Sequence, residues 1–301
     1  MHSGINHFIF LFHVPAFFFI SGFLEKNKNR RFLSFCLLNA RNLILPYYIW
    51  NLLFYVILFW GNYGFRSFIA VLVGCRCVNA ASWFLPVLFL VKAVSYLIIN
   101  KPLLGIPLAL SCLLPPIIAP YVPCTPFYVN LIFLFIPFYI VGYYSKQILK
   151  FISDLVDKQI VISFWGMLIG FIGLLVVYKF TTIPHVTVVV SFVDKFYLYW
   201  ISGSAGILLL LSLSLMLNKV PVRVIQLIST GTLFIMCSHY EFLQRINNFV
   251  SIPNDFVMLI ICVSFFIILV MVLPFVLTFF PILAGRKRQT EVLWLPYSSE
   301  S

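Results

Sequence analysis

Residues 255–278 read DFVMLIICVSFFIILVMVLPFVLT, and no charged side chain follows Asp255 until Arg286. A helix rises about 1.5 Å per residue and the hydrocarbon core of a bilayer is about 30 Å thick, so about 20 apolar residues cross it. This stretch is therefore predicted to be a transmembrane helix. Eight further segments meet the same criterion, at residues 5–24, 43–60, 83–99, 103–119, 128–144, 160–178, 196–217 and 224–240. The sequence predicts an all-α, polytopic transmembrane helix bundle with about nine spans.

The composition excludes a water-soluble globular protein. Apolar residues make up 62% of the 301 positions and charged residues only 9%, whereas soluble domains are about half apolar and a quarter charged. The formal charge of +12 would suggest a nucleic-acid partner in a soluble protein. Here the basic residues lie in short clusters between apolar runs, where they orient a membrane protein, so the bilayer is expected as a partner and nucleic acid is not.

The distribution of basic residues over alternate loops predicts the orientation. One set of loops contains Lys26, Lys28, Arg30, Arg31, Arg41, Lys101, Lys146, Lys150, Lys158, Lys219, Arg223, Arg286, Lys287 and Arg288. The other set contains only Arg66, Arg76, Lys179, Lys195 and Arg245. The richer set is expected to face the cytoplasm, which predicts a multi-pass inner (plasma) membrane protein with a membrane domain at 1–284 and a cytoplasmic tail at 285–301. Nine spans then leave Met1 outside, and one more helix before Met1 would place both ends inside.

The sequence shows no signature of a soluble enzyme. A P-loop, a G-x-S-x-G elbow, an H-E-x-x-H motif and a dinucleotide fingerprint are all missing. Seven cysteines are scattered along the chain, and Cys75 and Cys77 form a C-x-C pair without a second pair to complete a zinc site. We therefore expect no metal, and the question of a disulfide stays open.

Polar and ionisable residues inside predicted spans are the candidates for chemistry, because such groups are costly in hydrocarbon unless paired or hydrated. The candidates at or beside membrane level are His2, His7, His13, Asn51, Lys92 and His239. A histidine can take a proton from a hydroxyl that attacks an acyl carbonyl. A structural histidine bonded to a backbone carbonyl is the alternative for each. Lys92 is expected to extend to the inner headgroups.

The basic run from Lys26 to Arg31, followed by Arg41, has two interpretations. In the first it is an anchor that contacts anionic lipid on the inner face. In the second it binds the phosphates of a cytoplasmic nucleotide-bearing donor, because the guanidinium fork matches phosphate oxygens. The two interpretations are compatible.

Several stretches share the order and spacing of the characteristic strings of one family. They are HS at 2–3 leading to FHVPAFFFISGF at 12–23, RNLILPY at 41–47, WFLPVLF at 83–89, FIPFYIVGY at 135–143, and ISTGTLF at 228–234 leading to His239. Together they resemble the acyltransferase-3 family, the integral-membrane O-acetyltransferases that modify bacterial surface polysaccharides. The phenylalanine run after His13 is most similar to the fucose 4-O-acetylase subgroup.

The resemblance implies a ten-helix domain that moves an acetyl group from acetyl-CoA to a sugar hydroxyl. His2 matches the family's catalytic histidine, acting as general base or acyl relay, and Arg41 matches the inner loop that binds donor phosphates. Position 38 is Leu where the family often has a second Arg, so Arg30 or Arg31 is expected to substitute. His13, Trp83 and His239 fall in matched strings and are expected in an acceptor or structural site.

The family's first helix, with a basic residue about eleven positions before the catalytic histidine, has no counterpart in this sequence. The resemblance therefore predicts an N-terminally truncated chain whose activity depends on the absent helix. A different class of function, a flippase or exporter of lipid-linked oligosaccharide, is the alternative, although few polar residues would line its path. A polysaccharide polymerase would have a long outer loop with arginines, and the loops at 61–82 and 179–195 are short.

Overall fold

The structure is a computed structural model that describes residues 8–9, 11–25, 31–59, 65–75, 77–111, 126–153, 159–180, 196–216, 230–238 and 255–285. In these ranges every regular element is helical and no β-strand occurs. The α-helices are α1 His13–Phe23, α2 Phe32–Asn39, α3 Leu45–Phe59, α4 Phe65–Leu72, α5 Phe84–Asn100, α6 Pro102–Ser111, α7 Ile132–Ser153, α8 Gln159–Phe180, α9 Phe196–Met216 and α10 Asp255–Phe279. A π-helix, Ala40–Ile44, precedes α3, and 3-10 helices span Ala80–Trp83, Pro126–Leu131 and Pro281–Ala284.

Five helical segments of the described chain are long and apolar enough to cross a bilayer. They are Ala81–Asn100, Pro126–Lys146, Val161–Phe180, Leu198–Met216 and Ile260–Phe279. Each falls on one of the spans predicted from the sequence. The first predicted span contains the shorter apolar helix α1, and the fourth contains α6, which is described as far as Ser111. The all-α membrane bundle is confirmed.

Exposed side chains show which helices face lipid. Large apolar residues on α8 and α10, such as Phe171, Val176, Ile268 and Met271, are about half exposed or more. Apolar surface of this extent would be a liability in water, but in a bilayer it contacts acyl chains. These two helices are therefore lipid-facing over much of their length.

The described residues divide into two compact units. The first unit comprises Met1–Leu37, Leu72–Arg76 and Trp83–Val220, and the second comprises Leu38–Val71, Cys77–Ser82 and Pro221–Ser301. The predicted division into a membrane domain at 1–284 and a tail at 285–301 stays a prediction, because the tail beyond Gly285 lies outside the described residues.

In the first unit α1 packs directly on α7 through two glycines. A Cβ added to Gly22 would overlap the carbonyl oxygen of Tyr139, and a Cβ added to Gly142 would overlap that of Phe19. Small residues allow transmembrane backbones to approach this closely. The contact brings two of the strings quoted above, FFFISG and IVGY, against one another.

Helix α9 completes the first unit around the start of α1. The Ser202 hydroxyl donates to the Leu11 carbonyl at 2.9 Å, and the Gly203 backbone lies against Pro15 and Phe138. Leu11 also packs with Leu174 and Val177 of α8. The N-terminal turn of α1 is thus held by two helices that follow it by more than 150 residues.

The second unit has its own core and a buried polar network. Trp50 packs with Phe234 and Leu273, and its indole N–H donates to the Leu283 carbonyl at 3.1 Å. Asn51, fully buried, donates to the Tyr47 carbonyl and the Ser82 hydroxyl, both at 2.8 Å. Its Oδ1 accepts the backbone N–H groups of residues 78 and 79 at 2.7 and 3.2 Å. Every polar atom of this membrane-level amide is satisfied, so Asn51 has a structural role, fastening the 77–82 segment.

Candidate functional site

Three of the predicted site residues, His2, Arg30 and His239, lie outside the described residues. Four others, His13, Arg31, Arg41 and Trp83, are described. His13, Arg31 and Trp83 belong to the first unit and Arg41 to the second.

His13 is the first residue of α1 and is half-buried. Its Nδ1 lies 3.1 Å from the Ile9 carbonyl oxygen, one turn earlier. Because a carbonyl only accepts, this contact selects the tautomer with the proton on Nδ1, which makes Nε2 the basic atom of the neutral ring. The geometry suits a structural histidine and is equally compatible with a role at an acceptor site.

Trp83 lies in an aromatic cluster that unites three of the quoted strings. Its ring centroid is 6.1 Å from that of Phe135 and 6.4 Å from that of Tyr128. Phe135 in turn stacks on Phe18 of α1, with centroids 4.2 Å apart and planes inclined by 7°. Offset-stacked and edge-on pairs of this kind add about 0.5–1.5 kcal/mol each beyond the burial of their surface. The cluster fixes the indole of Trp83 at the start of α5.

The backbone beside Tyr128 is held in an unusual conformation. Phe127 and Tyr128 have φ values of 54° and 55°, in the left-handed region that bulky residues rarely adopt. The Phe127 N–H donates to the Gly74 carbonyl at 3.1 Å, and Gly74 itself has φ 75°. The next residue, Cys75, is disulfide-bonded. Strained residues persist where their surroundings fix them, often near functional sites, and here they hold the Tyr128 ring against Trp83.

The two described arginines of the expected donor site are both exposed. Arg31 precedes α2. Arg41 lies in the π-helix, in which the Leu45 N–H donates to the Ala40 carbonyl five residues back. Pro46 follows directly and has no N–H to donate, so the regular α-helical pattern is interrupted at this point. Both guanidinium groups are available to an anionic ligand in solution or at the lipid surface.

A charged cluster that the sequence did not predict lies at the C-terminal end of α1. The Lys92 ammonium is 2.6 Å from Glu25 Oε2, and the Tyr139 hydroxyl donates to the same oxygen at 3.0 Å. The Lys146 ammonium donates to the backbone carbonyl of Glu25. Lys92, which was expected to extend to the inner headgroups, forms an ion pair with Glu25 within the protein.

One signal in the sequence pointed to this cluster. Glu25 is one of only eight acidic residues and directly follows the first predicted span, and Lys92 is the one lysine or arginine placed inside a predicted span. Opposite charges at membrane level tend to pair. Their partnership could not be read from the sequence, because 66 intervening residues separate them. In the described part of the chain, no three His, Cys, Asp or Glu side chains converge as metal ligands would.

Comparison with known proteins gives one match. A family model described as an acyltransferase domain, that of the acyltransferase-3 family, matches residues 1–279. No curated protein and no solved structure matches the chain. The match covers all the strings quoted above as well as the aromatic cluster, the Glu25 cluster and the Asn51 network.

Proposed function

The chain belongs to the acyltransferase-3 family, and from that premise we propose that it transfers an acetyl or other short acyl group to a hydroxyl of a cell-envelope saccharide. The donor in this proposal is a cytoplasmic thioester, acetyl-CoA, and the acceptor is a free or lipid-linked saccharide. The observation that supports it best is the meeting of three of the family's strings in one aromatic cluster, where Phe18 and Trp83 both contact Phe135.

In the proposed reaction His2 acts as the general base. It accepts the proton of the saccharide hydroxyl as the oxygen attacks the thioester carbonyl carbon. The new C–O bond forms, the C–S bond breaks, and the departing thiolate takes up the proton from the imidazolium. Atoms and charge balance without a further reactant. In the other version of the mechanism His2 relays the acyl group through its own ring nitrogen.

The donor site in this proposal consists of Arg30, Arg31 and Arg41. Coenzyme A carries phosphates, and guanidinium groups bind phosphate oxygens through paired N–H donors. The exposure of Arg31 and Arg41 supports this assignment, as does their place between the first two predicted spans, which the charge distribution assigns to the cytoplasm. The same distribution supports an inner-membrane protein with a cytoplasmic C-terminus.

The acceptor site in this proposal involves His13, Trp83 and His239. Trp83 presents an amphipathic ring whose position is fixed by Phe135 and Tyr128. His13 begins the helix that carries Phe17 and Phe18, the ring neighbours of Phe84 and Phe135. Both residues therefore lie next to packed aromatic side chains, and a site that must orient a hydroxyl needs residues with fixed positions.

The test is acetyl transfer by the native protein in membranes, measured as acetyl-CoA consumption and as labelled acetate on saccharide. His2→Ala is expected to lower transfer by about 100-fold or more, the usual contribution of a general base. The matched control is His185→Ala, which removes a histidine from a predicted loop and should leave the rate unchanged. Full activity of His2→Ala would remove His2 from the mechanism. Transport of lipid-linked oligosaccharide without acetyl-CoA consumption would instead identify a flippase.

A further inference from the structure

Two consecutive aromatic residues of the first unit have a backbone conformation that bulky side chains disfavour. Phe127 (φ 54°, ψ 22°) and Tyr128 (φ 55°, ψ 40°) both lie in the left-handed region. In the described ranges no other residue except glycine has a positive φ. Glycine or asparagine would adopt this conformation at a lower cost in free energy. Two aromatic residues at these positions therefore need contacts that offset the strain.

Packing against Gly74 accounts for Phe127. The Phe127 N–H donates to the Gly74 carbonyl at 3.1 Å. The Phe127 ring occupies the space beside this glycine, because a Cβ added to Gly74 would lie 2.6 Å from Phe127 Cδ1. Gly74 itself has a positive φ of 75°, and the next residue, Cys75, is disulfide-bonded. These contacts fix the turn that carries Tyr128.

Tyr128 contacts Trp83 instead. The centroids of the two rings are 6.4 Å apart and their planes are inclined by 65°. In an edge-on pair of this kind, one ring has neither of its faces covered by the other. Both side chains are only half-buried. The two rings therefore form a corner with aromatic surface that a ligand can contact.

The predicted orientation places this corner on the outer side of the membrane. Trp83 and Tyr128 begin the predicted spans 83–99 and 128–144, and the loops before both spans belong to the set that is poor in basic residues. Saccharides of the cell envelope lie on this side. A pyranose has C–H faces that pack on aromatic rings and hydroxyls that form hydrogen bonds, and a tyrosine offers both a ring and a hydroxyl. The ligand that fits the corner is therefore a saccharide.

We infer that Tyr128 contacts the acceptor saccharide and, together with Trp83, determines which saccharide binds. The inference rests on the proposed function and adds Tyr128 to its acceptor site. The strained turn fixes the ring before the acceptor arrives, so less conformational freedom is lost on binding. Loss of the ring should weaken acceptor binding and leave donor binding and the chemical step intact.

The experiment measures kcat and the KM of each substrate with the full chain in phosphatidylcholine nanodiscs. The donor is acetyl-CoA, and the acceptor is saccharide extracted from the envelope of the producing cells. Tyr128→Gly removes the ring and suits the left-handed backbone, so the apparent Tm should stay within about 4 °C of wild type. The KM for the acceptor should rise by about 3- to 10-fold, the equivalent of one aromatic contact. The KM for acetyl-CoA and kcat should stay within about 2-fold.

A second variant and a control separate the ring from its hydroxyl and from general effects. Tyr128→Phe removes only the hydroxyl and should raise the acceptor KM by about 2- to 5-fold, the effect of one hydrogen bond. It also serves if Tyr128→Gly does not fold. The matched controls are Tyr144→Phe and Tyr144→Ala, which change an exposed tyrosine of α7 and should leave both KM values unchanged.

The outcomes separate the inference from the proposed function. If the wild-type protein transfers no acetyl group to saccharide, the proposed function itself fails. If wild type is active and the folded Tyr128 variants keep its acceptor KM, the inference is refuted and Tyr128 is an anchor in the headgroup layer. An equal rise in the KM of acceptor and donor would also refute it, because a general loss of packing would affect both substrates.

Discussion

Substitution of Gly22 by alanine tests the close packing of α1 against α7 in the first unit. Gly22 is buried on α1, and an added Cβ would overlap the carbonyl oxygen of Tyr139 on α7. A backbone carbonyl cannot rotate away as a side chain can. The overlap can be relieved only if α1 and α7 move apart.

The sign of the effect is decided by opposing contributions. Alanine is favoured over glycine in a helix by about 1 kcal/mol, so an uncrowded site would be stabilised. Overpacking costs about 1–3 kcal/mol. Separating the helices also weakens the Phe18–Phe135 stack, at about 0.5–1.5 kcal/mol, and the Tyr139–Glu25 hydrogen bond, at about 1.5–3 kcal/mol. Since these losses overlap, we expect a net destabilisation of about 2–4 kcal/mol.

The assay is thermal unfolding of the purified protein in one detergent at one scan rate. Gly22→Ala should lower the apparent Tm by roughly 5–10 °C, by the usual relation between free energy and Tm for large domains. Gly142→Ala should have a similar effect, because its Cβ would overlap the Phe19 carbonyl oxygen. The double variant should cost less than the sum, since one separation relieves both overlaps.

Gly173→Ala is the matched control for this series. A Cβ at Gly173 would lie 3.1 Å from the Ala205 side chain and near no backbone atom within 4 Å, so its effect should stay within about 1 kcal/mol. An unchanged or raised Tm for Gly22→Ala, or strict additivity of the double variant, would refute the close α1–α7 contact.

Two further predictions concern the second unit and the orientation of the chain. Asn51→Leu should destabilise the protein by roughly 2–5 kcal/mol, because it leaves two buried backbone N–H groups without acceptors. The control Asn100→Leu, at an exposed helix end, should change stability by under about 1 kcal/mol. Equal Tm shifts for the two variants would contradict the hydrogen-bond network around Asn51. Cys75 is disulfide-bonded and Cys36 is free, and disulfides persist in oxidising compartments. The predicted orientation places Cys75 outside and Cys36 on the cytoplasmic side. In spheroplasts an impermeant maleimide should therefore label Cys75 only after reduction by an impermeant phosphine, and it should leave Cys36 unlabelled. Labelling of Cys36 under these conditions would reverse the predicted orientation.

Hydrophobic runs predicted the long helices closely because the signal is local. The predicted span at 255–278 became α10, Asp255–Phe279, and the one at 160–178 became α8, Gln159–Phe180. Each needs only about 20 apolar residues in a row. The predicted span at 43–60 matched its helix less closely. Its first two residues belong to the π-helix that precedes α3, and Pro46 interrupts the regular hydrogen-bond pattern at this point. A change of helical register leaves no trace in hydrophobicity.

The candidate site was predicted unevenly. The family strings identified Trp83 and His13, and the structure places both in the first unit. The catalytic role of His2 and the donor roles of Arg30, Arg31 and Arg41 stay predictions. The cluster around Glu25 was not predicted, since pairing of Glu25 with Lys92 depends on how α1, α5 and α7 pack.

The sequence alone determined that this is a multi-pass membrane acyltransferase, because apolar content, basic loops and ordered strings are properties of the linear chain. Only the tertiary structure decided which partners the polar groups at membrane level have. Asn51 became the centre of a satisfied network, and Lys92 the partner of Glu25. The physical reason is that the cost of a polar group in hydrocarbon is set by its neighbours in space, and residues far apart in the chain supply those neighbours.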